Sequence, residues 1–172
     1  MDNNIDIDPP LILEAFTPYR LNKAAEAVSH RFASLYRDQY GLTRPEWRTL
    51  ATLGQFGTMT ATAIGTHSSM HKTKVSRAVL ALEQRRWLLR KRDETDRRVE
   101  NLVLTPAGRK AYLDLVKVAH DFEAELLQQL GPRGAAALKH GLEALEQLAG
   151  QTAGSGAAID LGNDLAYMMR DV

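Results

Sequence analysis

Lys72, Thr73, Lys74, Ser76 and Arg77 put three cations and two hydroxyls on one short stretch of chain. Ammonium and guanidinium groups bind phosphate oxygens and donate to guanine edges, and hydroxyls bond backbone or bases. The residues between them decide whether this chemistry can be presented together. Val75, Ala78, Val79 and Leu82 fall within one arc of a helical wheel, and Thr73, Arg77, Leu80 and Gln84 fall opposite, with Lys74 and Ser76 flanking. A helix near residues 70 to 86 would bury the first set and offer the second to a ligand. A solvated helix face can have the same composition, so the residues C-terminal to this helix decide between the two. After Trp87 come two short runs, Leu88 to Arg92 and Val99 to Leu104, around the charged loop Asp93-Glu94-Thr95-Asp96-Arg97-Arg98. That pattern predicts a β-hairpin with a basic tip, and a helix-then-hairpin unit favours nucleic acid. Arg97 and Arg98 are then candidates for phosphate or minor-groove contact.

Other chemistries find few residues to work with. The chain has no cysteine, which excludes disulfides, thiolate metal sites and thiol nucleophiles. It carries no Gly-rich phosphate loop, no G-x-S-x-G elbow and no H-E-x-x-H, so neither an enzyme nor a cofactor is expected. His67 and His71 have the spacing of a metal pair, but a turn is predicted between them and no third ligand is near in sequence, so no metal is expected.

Net charge is +1, from 22 basic and 21 acidic residues, and says nothing about partners by itself. Its distribution is informative. Residues 70 to 98 hold ten basic and four acidic side chains, whereas residues 1 to 18 hold Asp2, Asp6, Asp8 and Glu14 and no Lys or Arg. A basic zone inside a neutral protein suits a phosphate-binding face. The N-terminus lacks a basic-then-apolar segment, and no apolar run approaches the ~18 residues of a membrane span, so a soluble, cytoplasmic protein is expected.

The elements that must position this zone are mostly helical. Residues 1 to 16 read as an arm, acidic and broken by Pro9 and Pro10, with apolar Leu11, Ile12, Leu13 and Phe16. Thr17-Pro18 reads as a hydroxyl cap and first-turn proline opening a helix with the stripe Leu21, Ala25, Val28, Phe32, Leu35, closed by Gly41. Thr43-Arg44-Pro45-Glu46 reads as a capping box, so a second helix is predicted from 44 to 55 with Trp47, Leu50 and Leu53 inward. A short third helix is predicted near 61 to 67, with Ser68 or Ser69 capping the fourth. Thr105-Pro106 should open a long helix striped by Ala111, Leu115, Val118, Phe122, Leu126 and Leu130 and stopped by Gly131. Pro132 should open another, with Leu138, Leu142, Leu145 and Ala149 inward, before a small-residue linker and a tail striped by Leu161, Leu165, Met168 and Met169. The long helices carry more apolar surface than a small central domain covers, which argues for pairing with a second copy. Two-fold symmetry would set two recognition helices about 34 to 36 Å apart, on an inverted repeat.

In Met70-His71-Lys72-Thr73-Lys74-Val75-Ser76-Arg77-Ala78-Val79, then Leu82-Glu83, Asp96-Arg97-Arg98 and Leu102-Val103-Leu104-Thr105-Pro106-Ala107-Gly108, the chain resembles the MarR family of bacterial winged helix-turn-helix regulators over roughly residues 18 to 150. The expected fold is mainly α with a small β-hairpin wing. A winged helix-turn-helix at 44–104 would be flanked by dimerisation helices at 17–41 and 105–150, with an arm at 1–16 and a linker and amphipathic tail at 151–172. The resemblance implies a homodimer with recognition helices in the major groove and wings on the flanking minor groove. It also implies that Asp96 braces the wing tip while Arg98 enters the minor groove. His71 departs from the aspartate that many members have at the first capping position.

Many members are repressors released by a small phenolic or aromatic acid. Arg20 is similar in position to an arginine that holds the ligand carboxylate in such proteins. Trp47 fits either a core ring or a cleft wall, and His67 either a structural histidine or a donor to an anionic ligand. The rival reading is a helical protein-interaction or adaptor module without DNA readout.

Overall fold

A computed structural model describes residues 9–92, 96 and 99–154. The chain is mostly helical, in the order α1 (Thr17–Tyr40), α2 (Arg44–Phe56), β1 (Met59–Thr60), α3 (Ala61–Ser68), α4 (Lys72–Gln84), β2 (Leu88–Arg92), β3 (Glu100–Leu104) and α5 (Pro106–Gly154). Residues through Gly41 form one compact unit and residues from Leu42 a second.

In the first unit α1 begins one residue earlier than its sequence suggests. Phe16, in extended backbone, is the N-cap, and Thr17 is already helical, so its hydroxyl does not cap. Pro18 still sits in the first turn, where no N–H is missed. Gly41 closes the helix in the left-handed region (φ 61°), its N–H donating to the Arg37 carbonyl at 2.7 Å. Ala33 and Tyr36 are the buried residues, with Phe32 edge-on to Tyr36 at 5.2 Å. Leu21 and Leu35 of the expected stripe are exposed.

The second unit has its core where α2, α3, α4, the sheet and the first turns of α5 converge. Leu42, Leu50, Leu53, Ile64, Val75, Ala78, Val79, Leu82, Leu88, Leu102, Ala111 and Leu115 are all buried. Each full-sized aliphatic among them stabilises the fold by about 1.5–3 kcal/mol relative to exposure. At the start of α2 the Thr43 N–H donates to Glu46 Oε2 at 3.0 Å, the carboxylate half of a capping box.

β1, too short to announce itself by alternation, extends the hairpin into a three-stranded antiparallel sheet ordered β1-β3-β2. Met59 pairs with Leu102 and Thr60 with Asn101 on one edge of β3; Leu88 pairs with Leu104, and Arg92 with Glu100, on the other. The wing therefore grows out of the core on a strand anchored from both sides.

Both expected long helices are present in α5: one starts at Pro106, the other reaches Gly154, and they meet at a kink where Gly131 is non-helical (φ 67°, ψ 170°) and Pro132 follows. The second continues four residues past Gly150, where the sequence predicts the start of a linker. Beyond the break Leu138, Leu142 and Leu145 are 42%, 47% and 42% exposed, so in a single chain this leucine stripe is uncovered. The proposed tail from residue 155 lies outside the described residues. No helix among them is long and apolar enough to cross a membrane.

Candidate nucleic-acid interface

The α3–α4 connection is made by backbone geometry. Thr60 caps α3 by accepting the Ala63 N–H at 3.1 Å, and α3 runs through Ser68. Ser69 then takes a left-handed conformation (φ 50°) as the C-cap, and the Met70 N–H returns to the Gly65 carbonyl at 2.9 Å. Neither serine is therefore available to start α4. His71 is the N-cap instead: its Nδ1 accepts the Thr73 N–H at 3.3 Å, and its carbonyl accepts from Lys74 and Val75. An imidazole can do this only through an unprotonated ring nitrogen.

With the cap so placed, α4 turns its faces as the periodicity requires. Val75, Ala78, Val79 and Leu82 are buried, and Lys72, Thr73, Lys74, Ser76 and Arg77 are all exposed on the first two turns. The first turn holds no acidic residue, and among the described residues Lys72, Lys74 and Arg77 have no ion-pair partner. The helix N-terminus and these cations together make a positive surface that favours phosphate. Leu80 lies on the same outer side and is also exposed.

The remaining cations of the basic zone, unassigned by sequence, sort by structure. Arg85 lies over the Trp87 ring at 5.5 Å. Arg86 occupies the left-handed position that ends α4 (φ 59°), where the Trp87 N–H reaches the Leu82 carbonyl at 2.9 Å. Arg90 is held twice: its Nε donates to Glu83 Oε1 of α4 at 2.8 Å, and a terminal nitrogen donates to Glu100 Oε2 of β3 at 2.9 Å. The Glu83 hydrogen bond first, then that of Glu100, pushes the guanidinium pKa above its already high ordinary value. Strand alternation puts Arg90 on the same side as buried Leu88, in register with buried Leu102, yet its side chain stays 39% exposed. Lys91 and Arg92 remain exposed on β2.

At the wing tip Asp96 is described, its carbonyl accepting the Val99 N–H at 2.9 Å. Arg97 and Arg98 lie outside the described residues, and with them the brace expected between Asp96 and Arg98.

The wing's return to α5 explains the Leu104-Thr105-Pro106-Ala107-Gly108 run. Thr105 Oγ1 accepts the Gly108 N–H at 3.0 Å and donates to the Arg86 carbonyl at 2.8 Å, while the Thr105 N–H donates to the Trp87 carbonyl at 3.0 Å. One residue thus caps α5 and ties it to the end of α4. Gly108 is required by approach: a Cβ there would overlap the Trp87 carbonyl oxygen.

Of the effector candidates, Arg20 is exposed on α1 in the first unit. Trp47 is half-buried on α2, and His67 is exposed on α3, edge-on to the Phe56 ring at 4.4 Å. Among the described residues no group of three side chains is arranged to hold a metal ion.

Comparison with known proteins agrees with this geometry. The family model for the MarR family matches residues 42–99, the stretch from α2 to the wing. The HTH-type transcriptional regulator YwoH of Bacillus subtilis (strain 168) is 27% identical over 122 residues, 71% of this chain and 88% of that one. The crystal structure of NadR in complex with 4-hydroxyphenylacetate shares the fold, with a TM-score of 0.64 at 23% identity, over 80% of this chain and 96% of that one. The MarR family transcriptional regulator SPO1453 from Silicibacter pomeroyi DSS-3 superposes with a TM-score of 0.71 at 31% identity, covering 81% of this chain and 98% of that one. A buried-in, cationic-out helix, the wing sheet and these relatives lead to one conclusion: the chain belongs to the MarR family of DNA-binding transcriptional regulators.

Proposed function

We propose that the chain works as a cytoplasmic homodimeric repressor that binds an inverted-repeat operator and is released by a small aromatic or phenolic acid. The observation that carries DNA reading to particular residues is the outer face of α4, where Lys72, Thr73, Lys74, Ser76 and Arg77 stand exposed opposite a fully buried arc. The hydroxyls and Arg77 suit base edges in the major groove, and Lys72 and Lys74 suit phosphates. Arg97 and Arg98 at the hairpin tip, with Asp96 as brace, suit the minor groove beside it.

Dimerisation is supported by the uncovered leucines of α5 after Gly131, spaced four and three apart as a helix partner requires, and by exposed Leu21 and Leu35 on α1. The effector class is supported by NadR, which was solved with a phenolic acid. Arg20 is the proposed carboxylate holder; Trp47 and His67 are separate candidates for ligand contact, each tested by its own alanine variant.

The experiment is footprinting on duplexes selected by the protein from a random pool, with and without a panel of aromatic acids. Protection of two half-sites one helical turn apart, lost on adding one acid, is the expected result. Tryptophan fluorescence titration with that acid should show weaker binding for Arg20→Ala, and undiminished binding would remove Arg20 from the site. A helical adaptor would select no sequence and show no steep salt dependence.

A further inference from the structure

Beyond the junction at Trp87 and Thr105, one side chain, Arg90, links the wing to α4. Arg90 stands in the middle of β2 and spends its guanidinium on Glu83, in the last turns of α4, and on Glu100, the first residue of β3. Glu100 pairs with Arg92, the last ladder position before the hairpin tip, so the tie acts where the ladder runs out. The side chains of Arg90, Glu83 and Glu100 are 39%, 26% and 54% exposed. Such pairs add little to global stability, but a planar fork satisfied in two directions is specific about geometry. Buried Leu88 and Leu102 hold the base of the hairpin, and β1 pairs with β3 only as far as Asn101, so the tie to Glu100 acts one residue beyond that anchorage.

We infer that Arg90 is a positioning residue for DNA binding: it sets the direction of the wing relative to α4 and does not itself contact phosphate. This rests on the reading that the hairpin tip meets DNA. The cluster carries one net negative charge, so it is a poor phosphate ligand despite lying in the basic zone. Removing it altogether makes each protomer one unit less negative, and electrostatics alone would then tighten DNA binding. A positioning role requires the opposite.

The test uses the full chain and a duplex selected by it from a random pool. The triple variant Glu83→Gln, Arg90→Gln, Glu100→Gln should bind about 5- to 20-fold more weakly, in the range of couplings between neighbouring residues. Adding Arg98→Ala to the triple variant should cost less than it costs wild type, because the wing contact is already misdirected. Unchanged or tighter binding overturns the inference, and so does a fully additive loss on adding Arg98→Ala, which would show that Arg90 acts independently of the wing. Glu100→Gln alone cuts one arm of the tie and should weaken binding about 2- to 4-fold, which guards against poor folding of the triple variant. Arg98→Ala is measured alongside. If it weakens binding and the triple variant does not, the tie is unimportant while the wing contact stands. If neither does, the wing reading fails and the inference fails with it.

Discussion

Thr105→Ala removes a hydroxyl that performs two tasks at the junction of wing and α5. It accepts the Gly108 N–H as the helix cap and donates to the Arg86 carbonyl. Losing a hydroxyl cap costs about 1 kcal/mol, and losing the second hydrogen bond costs about 1 kcal/mol more. The backbone bond from the Thr105 N–H to the Trp87 carbonyl survives the substitution, so the junction should loosen and not come apart. For a chain of this size about 2 kcal/mol corresponds to a fall of about 4–8 °C in Tm. Thermal unfolding by circular dichroism, at one fixed protein concentration because a dimer's Tm depends on it, is the assay. Thr105→Ser keeps the hydroxyl and should recover most of the loss. Duplex affinity at 25 °C should change by less than about 3-fold, since the end of α4 is held independently by the Trp87 N–H on the Leu82 carbonyl. A Tm change under about 1 °C, or a serine variant as unstable as alanine, would refute the double role of the hydroxyl.

Gly108→Ala should cost about 3 kcal/mol or more, because its Cβ meets backbone that cannot rotate away; soluble yield and urea midpoint would report it, and near-wild-type values would contradict the packing. Arg86→Gly should stabilise by roughly 0.5–1 kcal/mol, since a left-handed position favours glycine, and a lower urea midpoint would count against strain there. His71→Ala should lower Tm modestly through loss of about 0.5–1 kcal/mol of capping, and His71→Asp should match or exceed wild type by adding a charge suited to the helix N-terminus. An alanine variant as stable as wild type would show that the imidazole does not cap.

How far the sequence reaches depends on the physical signal each feature leaves. The buried arc of α4 and the two wing strands leave strong periodic signals, and their places match to within a residue at Val99. A two-residue strand such as β1 leaves none, since alternation needs more than one step. Caps are degenerate in sequence. Several hydroxyls precede α4, and only the left-handed turn at Ser69 determines that His71, the residue that departs from the family pattern, starts the helix. Phe16 displaced Thr17 for a similar reason, because the chain before α1 is already folded into turns through the Ala15 and Phe16 N–H groups. Gly131-Pro132 reads as a stop and a restart, and the backbone follows it: Gly131 leaves helical geometry and Pro132 stands at the start of the next helix. The Arg90 tie joins three elements, and only strand register brings its partners together.

DNA reading by the outer face of α4 underlies every functional proposal above. Its sharpest test is the salt dependence of binding to a selected duplex for wild type and for Lys72→Ala, Lys74→Ala, Arg77→Ala combined. All three side chains are exposed, so the fold should be kept. A large loss of affinity is expected, with a salt slope smaller by about 0.9 for each phosphate contact removed. A variant that binds the duplex with wild-type affinity and slope would contradict a DNA-reading role for α4.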